Sequence, residues 1–286
     1  MKRTIPFLLV LAIALAACGG GAGTEPEGTP ASDGGVLPSE PREVNFTASD
    51  GQSLTGYYYP AAGTPAPVVV FMHWVGGDKS DWYELAPWLQ NRGLDNPFEN
   101  PGVESWWDPT WFPAVPESSS YAVFIFSFRG CSPYTAGCPA ITPTEWLLDA
   151  QAAMETARGL EGVDPTRVAA IGSSIGADGA PDGCAWLNEQ YPGSCRGALS
   201  LSPGGYLGIP YSDIVGELGE NDPATAAWCL ADENEYAVCE MGDAAGNTAY
   251  MSYQVPGGSH GNRLLQPDLE PLPMQLILDF LAAVFP

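Results

Sequence analysis

The sequence predicts an α/β domain built on a mostly parallel central sheet with helices on both faces. Residues 68–72 and 168–171 are unbroken apolar blocks, and 121–128 is one interrupted only by Ser127, the pattern of strands covered on both sides. Amphipathic stretches at 81–90, 144–160 and 274–284 alternate with such blocks, which is the βα order of a parallel sheet. Residues 44–286 are long enough to close one large core.

Taken in order, 44–46 and 54–59 alternate around Ser49-Asp50-Gly51-Gln52 and read as a hairpin. The block at 68–72 runs into His73-Trp74-Val75-Gly76-Gly77, and 121–128 runs into Arg129-Gly130. The stretch 94–120 carries Phe98, Trp106, Trp107, Trp111 and Phe112 among prolines, glycines and acids without any period. It reads as an aromatic-rich insertion, either a lid or binding loop, with Trp106, Trp107 and Trp111 as substrate-contact candidates, or a structural flap whose aromatics pack on the domain. A helix over 144–160 leads to the strand at 168–171. Further strands are expected at 198–202, 213–218 and 250–255, before the closing helix.

Chemistry gathers at the carboxyl ends of strands in such sheets. After 168–171 comes Gly172-Ser173-Ser174-Ile175-Gly176, a G-x-S-x-G. A strand turning sharply into a helix exposes the central serine, and glycine two residues to either side lets the backbones pass. Ser174 is the candidate nucleophile. A hydroxyl needs a base, and the chain has two histidines. His260 lies in Gly257-Gly258-Ser259-His260-Gly261 after the last strand, placed to reach back over the sheet. His73 reads as a structural histidine that orients its own loop. The base needs a carboxylate partner; Asp222, in Gly219-Glu220-Asn221-Asp222-Pro223 after the strand expected at 213–218, is first choice, with Asp213, Asp232 and Asp243 behind it. An oxyanion needs two backbone N–H donors, one from Ile175 and the other from Val75 or Trp74.

The order Ser, Asp, His, with H-x-x-G-G after one strand and G-x-S-x-G after another, resembles the α/β-hydrolase superfamily. The segments SFRG, WLLDA, GSSIGA, LSPGG, GENDP and PGGSHGNRLL are similar to the dienelactone hydrolase-like and prolyl-oligopeptidase-like serine esterases. The resemblance runs from residue 44 to 286 and implies an α/β-hydrolase fold, with Ser174, Asp222 and His260 as nucleophile, acid and base. It implies hydrolysis of carboxylic esters through an acyl-enzyme, with no cofactor and no metal. Three features depart from the pattern. Many members have His-Gly at His73-Trp74, dienelactone hydrolases use a cysteine nucleophile, and Pro181 and Gly183 interrupt the helix expected after the serine.

Residues 1–17 combine Lys2 and Arg3 with an apolar run and end in Leu15-Ala16-Ala17-Cys18, which resembles the lipobox of bacterial lipoproteins. Cys18 is the expected lipidation site, and residues 18–43, rich in Gly, Pro, Ser and Thr, read as a tether. The expected location is therefore extracytoplasmic, on the bacterial cell envelope. Lys and Arg number 10 against 34 Asp and Glu, a net charge of −24. Such a surface repels nucleic acid and anionic headgroups, so no nucleic-acid partner is expected and membrane attachment falls to the lipid. The other six cysteines form three close sequential pairs: Cys131 with Cys138, Cys184 with Cys195, and Cys229 with Cys239. Two histidines and no C-x-x-C argue against zinc. The expected partner is a small-molecule ester and the expected state a monomer. The alternatives are a peptidase or acyl-aminoacyl hydrolase using the same triad, and a non-catalytic binding lipoprotein on a hydrolase fold.

Overall fold

The computed structural model describes residues 35–99, 108–132, 138 and 142–286. The leader at 1–17, Cys18, Trp106 and Trp107 lie outside them. Among the described residues no helix is long and apolar enough to cross a membrane.

Eight strands form one sheet: β1 Arg42–Thr47, β2 Ser53–Tyr59, β3 Ala66–Met72, β4 Ala122–Phe126, β5 Val163–Ser173, β6 Cys195–Leu201, β7 Ala226–Ala231 and β8 Tyr250–Gln254. Their order is β1-β2-β4-β3-β5-β6-β7-β8. The β1–β2 hairpin joins β4 antiparallel, and every pairing from β4 to β8 is parallel. The helices are α1 Leu85–Gln90, α2 Pro143–Arg158, α3 Ile175–Gln190, α4 Tyr211–Gly219, α5 Ala237–Asp243 and α6 Pro273–Val284.

The apolar block of β3 is buried throughout, and its period of two divides it between two cores. Val68, Val70 and Met72 face Trp146 and Met154 of α2 and Leu187 of α3. Val69 and Phe71 face Leu85 and Leu89 of α1 and Ile277 and Phe280 of α6. Helices thus cover both faces, as the solid strand blocks predict.

Two local expectations are corrected. Residues 213–218 are not a strand but most of α4: Tyr211, Ile214, Val215 and Leu218 are its buried positions, a spacing of three, four and seven that belongs to a helix. The strand in that region is β7, whose AAWCLA begins in small residues and offers few β-branched cues. Finally, α3 is not interrupted, although Pro181 lies inside it. A proline at 181 has no N–H for the Ala177 carbonyl one turn earlier. The Ser200 hydroxyl on β6 donates to that carbonyl instead, at 2.6 Å.

All three cysteine pairs are disulfides: Cys131–Cys138, Cys184–Cys195 and Cys229–Cys239. The described flanks of the aromatic insertion pack on the domain. Phe98 lies against Tyr57 and Tyr83, with ring centroids 4.4 and 4.7 Å apart, and Phe112 against Trp88 at 5.3 Å. Trp111 closes a short 3-10 turn, Pro109–Trp111, and is half-buried.

Candidate functional site

β5 ends at Ser173 and α3 begins at Ile175, so the chain reverses on the single residue Ser174. Its backbone is at φ 54°, ψ −115°, a strained conformation for a residue with a side chain. The flanking glycines are steric requirements. A Cβ at 172 would fall on the Gly176 carbonyl, and one at 176 on the Met72 carbonyl of the adjoining strand. Ser174 N–H donates to the Leu201 carbonyl of β6 at 2.8 Å, which holds the elbow over the sheet.

His260 reaches this serine from the loop after β8. Its Nε2 lies 2.7 Å from Ser174 Oγ. Its Nδ1 faces Glu235, 2.8 Å from Oε1 and 3.0 Å from Oε2. A carboxylate only accepts, so Nδ1 carries the proton and Nε2 is left to accept from the serine hydroxyl. The histidine loop is tied down on both sides. Gly261 N–H donates to Ser202 Oγ at 3.0 Å, and Gly257 N–H to Glu233 Oε2 at 2.8 Å.

The carboxylate at His260 is therefore Glu235, and Asp222 is not there. Asp222 is exposed in the turn that leads from α4 into the amino end of β7, whereas Ser174 and His260 follow the carboxyl ends of their strands. The misplacement follows from reading α4 as a strand: the true strand is β7, and Asp232-Glu233-Asn234-Glu235 leaves its carboxyl end. Asp232 accepts from Asn234 N–H at 2.9 Å and shapes that turn, and Glu235 emerges from it. Of the other fallbacks, Asp213 sits in the first turn of α4 and Asp243 accepts from the Ser252 hydroxyl. The signal for Glu235 was present as an acidic run after a short buried block, once that block is taken as a strand.

His73 is fully buried at the end of β3. Burial lowers its pKa to about 4, so it is neutral. Its Nε2 accepts from Phe128 N–H at 3.0 Å, which leaves the proton on Nδ1, donated to the Trp74 carbonyl at 2.7 Å. In a trans peptide the carbonyl of one residue and the N–H of the next point in opposite directions. Pinning the Trp74 carbonyl therefore fixes the direction of Val75 N–H. The Val75 carbonyl in turn accepts from Cys138 N–H at 3.2 Å, so the 131–138 disulfide loop braces the same turn. Among the described residues, neither Val75 N–H nor Ile175 N–H has a protein acceptor. His73 also lies beside Cys131 and Cys138, a grouping of metal-ligand type, but both sulfurs are joined in the disulfide and offer no thiolate.

Solved structures share this architecture. An esterase from Pyrobaculum calidifontis superposes with a TM-score of 0.59 at 14% identity, over 86% of this chain and 85% of the other. A dienelactone hydrolase-like promiscuous phosphotriesterase from metagenomic libraries gives 0.56 at 14% identity, over 86% and 99%. A thermostable carboxylesterase cloned from a metagenomic library gives 0.54 at 16%, over 86% and 87%. This is the α/β-hydrolase fold. At these identities the likeness speaks for the fold alone. No family model matches the chain. In sequence it is similar to an uncharacterized protein of Mycobacterium tuberculosis, 31% identical over 144 residues, and to the uncharacterized protein YfhR of Escherichia coli, 27% identical over 148. Each match takes in 50% of this chain, and the chain spans about 40% of the length of these relatives.

Proposed function

We propose that the protein is a serine hydrolase that cleaves carboxylic esters through an acyl-enzyme. The observation that carries the reading is the unbroken chain from Ser174 Oγ to His260 Nε2, and from His260 Nδ1 to Glu235, built on a strained elbow. The Ser174 hydroxyl attacks the ester carbonyl while His260 takes its proton, and the Glu235 carboxylate stabilises the imidazolium that forms. Charge developing on the carbonyl oxygen is received by the N–H groups of Ile175 and Val75. Val75 is preferred to Trp74 because His73 sets the orientation of the Trp74–Val75 peptide. His260 then gives its proton to the leaving alcohol, and water attacks the acyl-enzyme by the same route in reverse.

Three disulfides fit an oxidising compartment, in line with export, and we propose attachment to the cell envelope through a lipid on Cys18, with residues after it as a tether. The test is a panel of matched p-nitrophenyl ester and p-nitroanilide substrates, run on the wild type and on Ser174→Ala. Turnover of esters that is lost with Ser174 supports the reading. Preferential turnover of anilides would move it to a peptidase, and no turnover of either would favour a binding protein.

A further inference from the structure

Between β6 and α4 the chain crosses the site as Ser202-Pro203-Gly204-Gly205-Tyr206-Leu207-Gly208. This segment is a built arch. Ser202 and Gly205 have φ of 57° and 72°, and Gly208 N–H closes a turn onto the Gly205 carbonyl at 3.1 Å. Its anchor is Asp178, in the first turn of the helix that starts at the nucleophile and almost wholly buried. One carboxylate oxygen accepts from Gly204 N–H at 3.1 Å and the other from Tyr206 N–H. Leu207 is buried beside it as an apolar peg.

The arch presents one side chain. The Tyr206 ring folds back over the Gly204 backbone so closely that a Cβ at 204 would overlap it. The ring stands edge-on to His260, with centroids 6.3 Å apart and planes at 84°. Yet it remains 38% exposed. A large aromatic group that is fixed in place, open to solvent and set against the base is a contact surface waiting for a ligand.

Which part of the ligand it meets follows from the chemistry of acyl transfer. The proton that His260 takes from Ser174 is delivered to the alcohol oxygen as the C–O bond breaks, so the leaving group lies on the imidazole side of the reacting carbon. We propose that Tyr206 is the wall of the leaving-group site and selects esters of aromatic alcohols. The inference rests on the serine-hydrolase reading and names the substrate class of that site. It makes a kinetic distinction: Tyr206 acts while the alcohol is present, in acylation, and is irrelevant to deacylation, when the alcohol has gone.

The experiment compares phenyl acetate with ethyl acetate, one acyl group with two alcohols, and p-nitrophenyl acetate with p-nitrophenyl butyrate and octanoate, one alcohol with three acyl groups. Tyr206→Ala is expected to lower the phenyl-to-ethyl ratio of kcat/KM about tenfold, the size of one good aromatic pairing. The acyl-chain profile and the single-turnover deacylation rate stay at wild-type values. Tyr206→Phe keeps the ratio, and Gly204→Ala, which displaces the ring without removing it, lowers it. Should Tyr206→Ala fail to fold, Tyr206→Leu against Tyr206→Phe reads the same ratio. An unchanged ratio, an altered acyl-chain profile, or equal slowing of deacylation overturns the inference. Fluorophosphonate labelling of Ser174 in the wild type separates the two levels: labelling with a flat ratio removes the Tyr206 inference alone, and no labelling removes both.

Discussion

Replacing Glu235 by glutamine keeps the shape of the site and removes one charge. In the wild type Nδ1 of His260 lies 2.8 and 3.0 Å from the two carboxylate oxygens, so an imidazolium formed during attack meets a full negative charge. Taking the charges about 3.5 Å apart, an effective dielectric of about 20 gives about 5 kcal/mol. The two side chains are 31% and 36% exposed, and solvent screening brings this to about 2–3 kcal/mol. At about 1.4 kcal/mol per tenfold, Glu235→Gln should lower kcat/KM roughly 100-fold. Since Ser174 and the N–H donors stay in place, most of the loss should fall on kcat. Asp222→Asn, an exposed change before the amino end of β7, should leave both constants within about twofold, as for a surface site remote from the chemistry. The assay is steady-state hydrolysis of p-nitrophenyl acetate, with circular dichroism to confirm folding. A Glu235→Gln variant at wild-type activity beside an inactive Asp222→Asn would show that Asp222, and not Glu235, is the partner of His260.

Other residues make separate predictions. Ser200→Ala removes the donor that stands in for the missing N–H of Pro181 and leaves the Ala177 carbonyl unsatisfied, so urea denaturation should show a loss of about 1–3 kcal/mol. Asp182 on α3 is buried, and neither of its oxygens has a hydrogen-bond partner among the described residues. Burial, with Asp178 and Glu217 adding repulsion, raises its pKa to about 8. The native state therefore binds a proton that the unfolded chain releases above about pH 4, and stability from this group falls as pH rises from about 4 to 8. Asp182→Asn should stabilise by several kcal/mol at pH 8 and by almost nothing at pH 4, since the linkage from this one group grows to about 4 kcal/mol by pH 7 and about 5 kcal/mol by pH 8; equal effects at both pH values would contradict it. Removing Cys184–Cys195, which spans 11 residues and ties α3 to the start of β6, should cost about 2–3 kcal/mol in Cys184→Ala/Cys195→Ala. Dithiothreitol should lower Tm further in the wild type than in that variant.

Much of the architecture was legible because its signals are local. The apolar blocks at 68–72, 121–128 and 168–171 could bury both faces only inside a parallel sheet, and the spacing of Gly172, Ser174 and Gly176 answers to a steric need that involves few residues. His260 was legible because two histidines leave little choice. Glu235 was hidden by a register of elements: Ile214 and Val215 look like strand residues until Leu218 is seen to share their face, and β7 starts on alanines. Once α4 is taken for a strand, Asp222 falls where the acid belongs. The continuity of α3 through Pro181 depends on Ser200, which is distant in sequence, so no local rule could supply it. The roles of Ser202 and Tyr206 are likewise tertiary, arising where the loop after β6 meets the loop after β8.

The proposed chemistry stands or falls with Ser174 as an activated nucleophile. Its most direct test is the intact mass of the disulfide-bonded domain after exposure to a fluorophosphonate, with the adduct located by peptide mapping. A single adduct on Ser174 is expected, absent in Ser174→Ala and strongly slowed in His260→Ala. An adduct on another residue, or none on a folded wild type that binds its ligands, would contradict it.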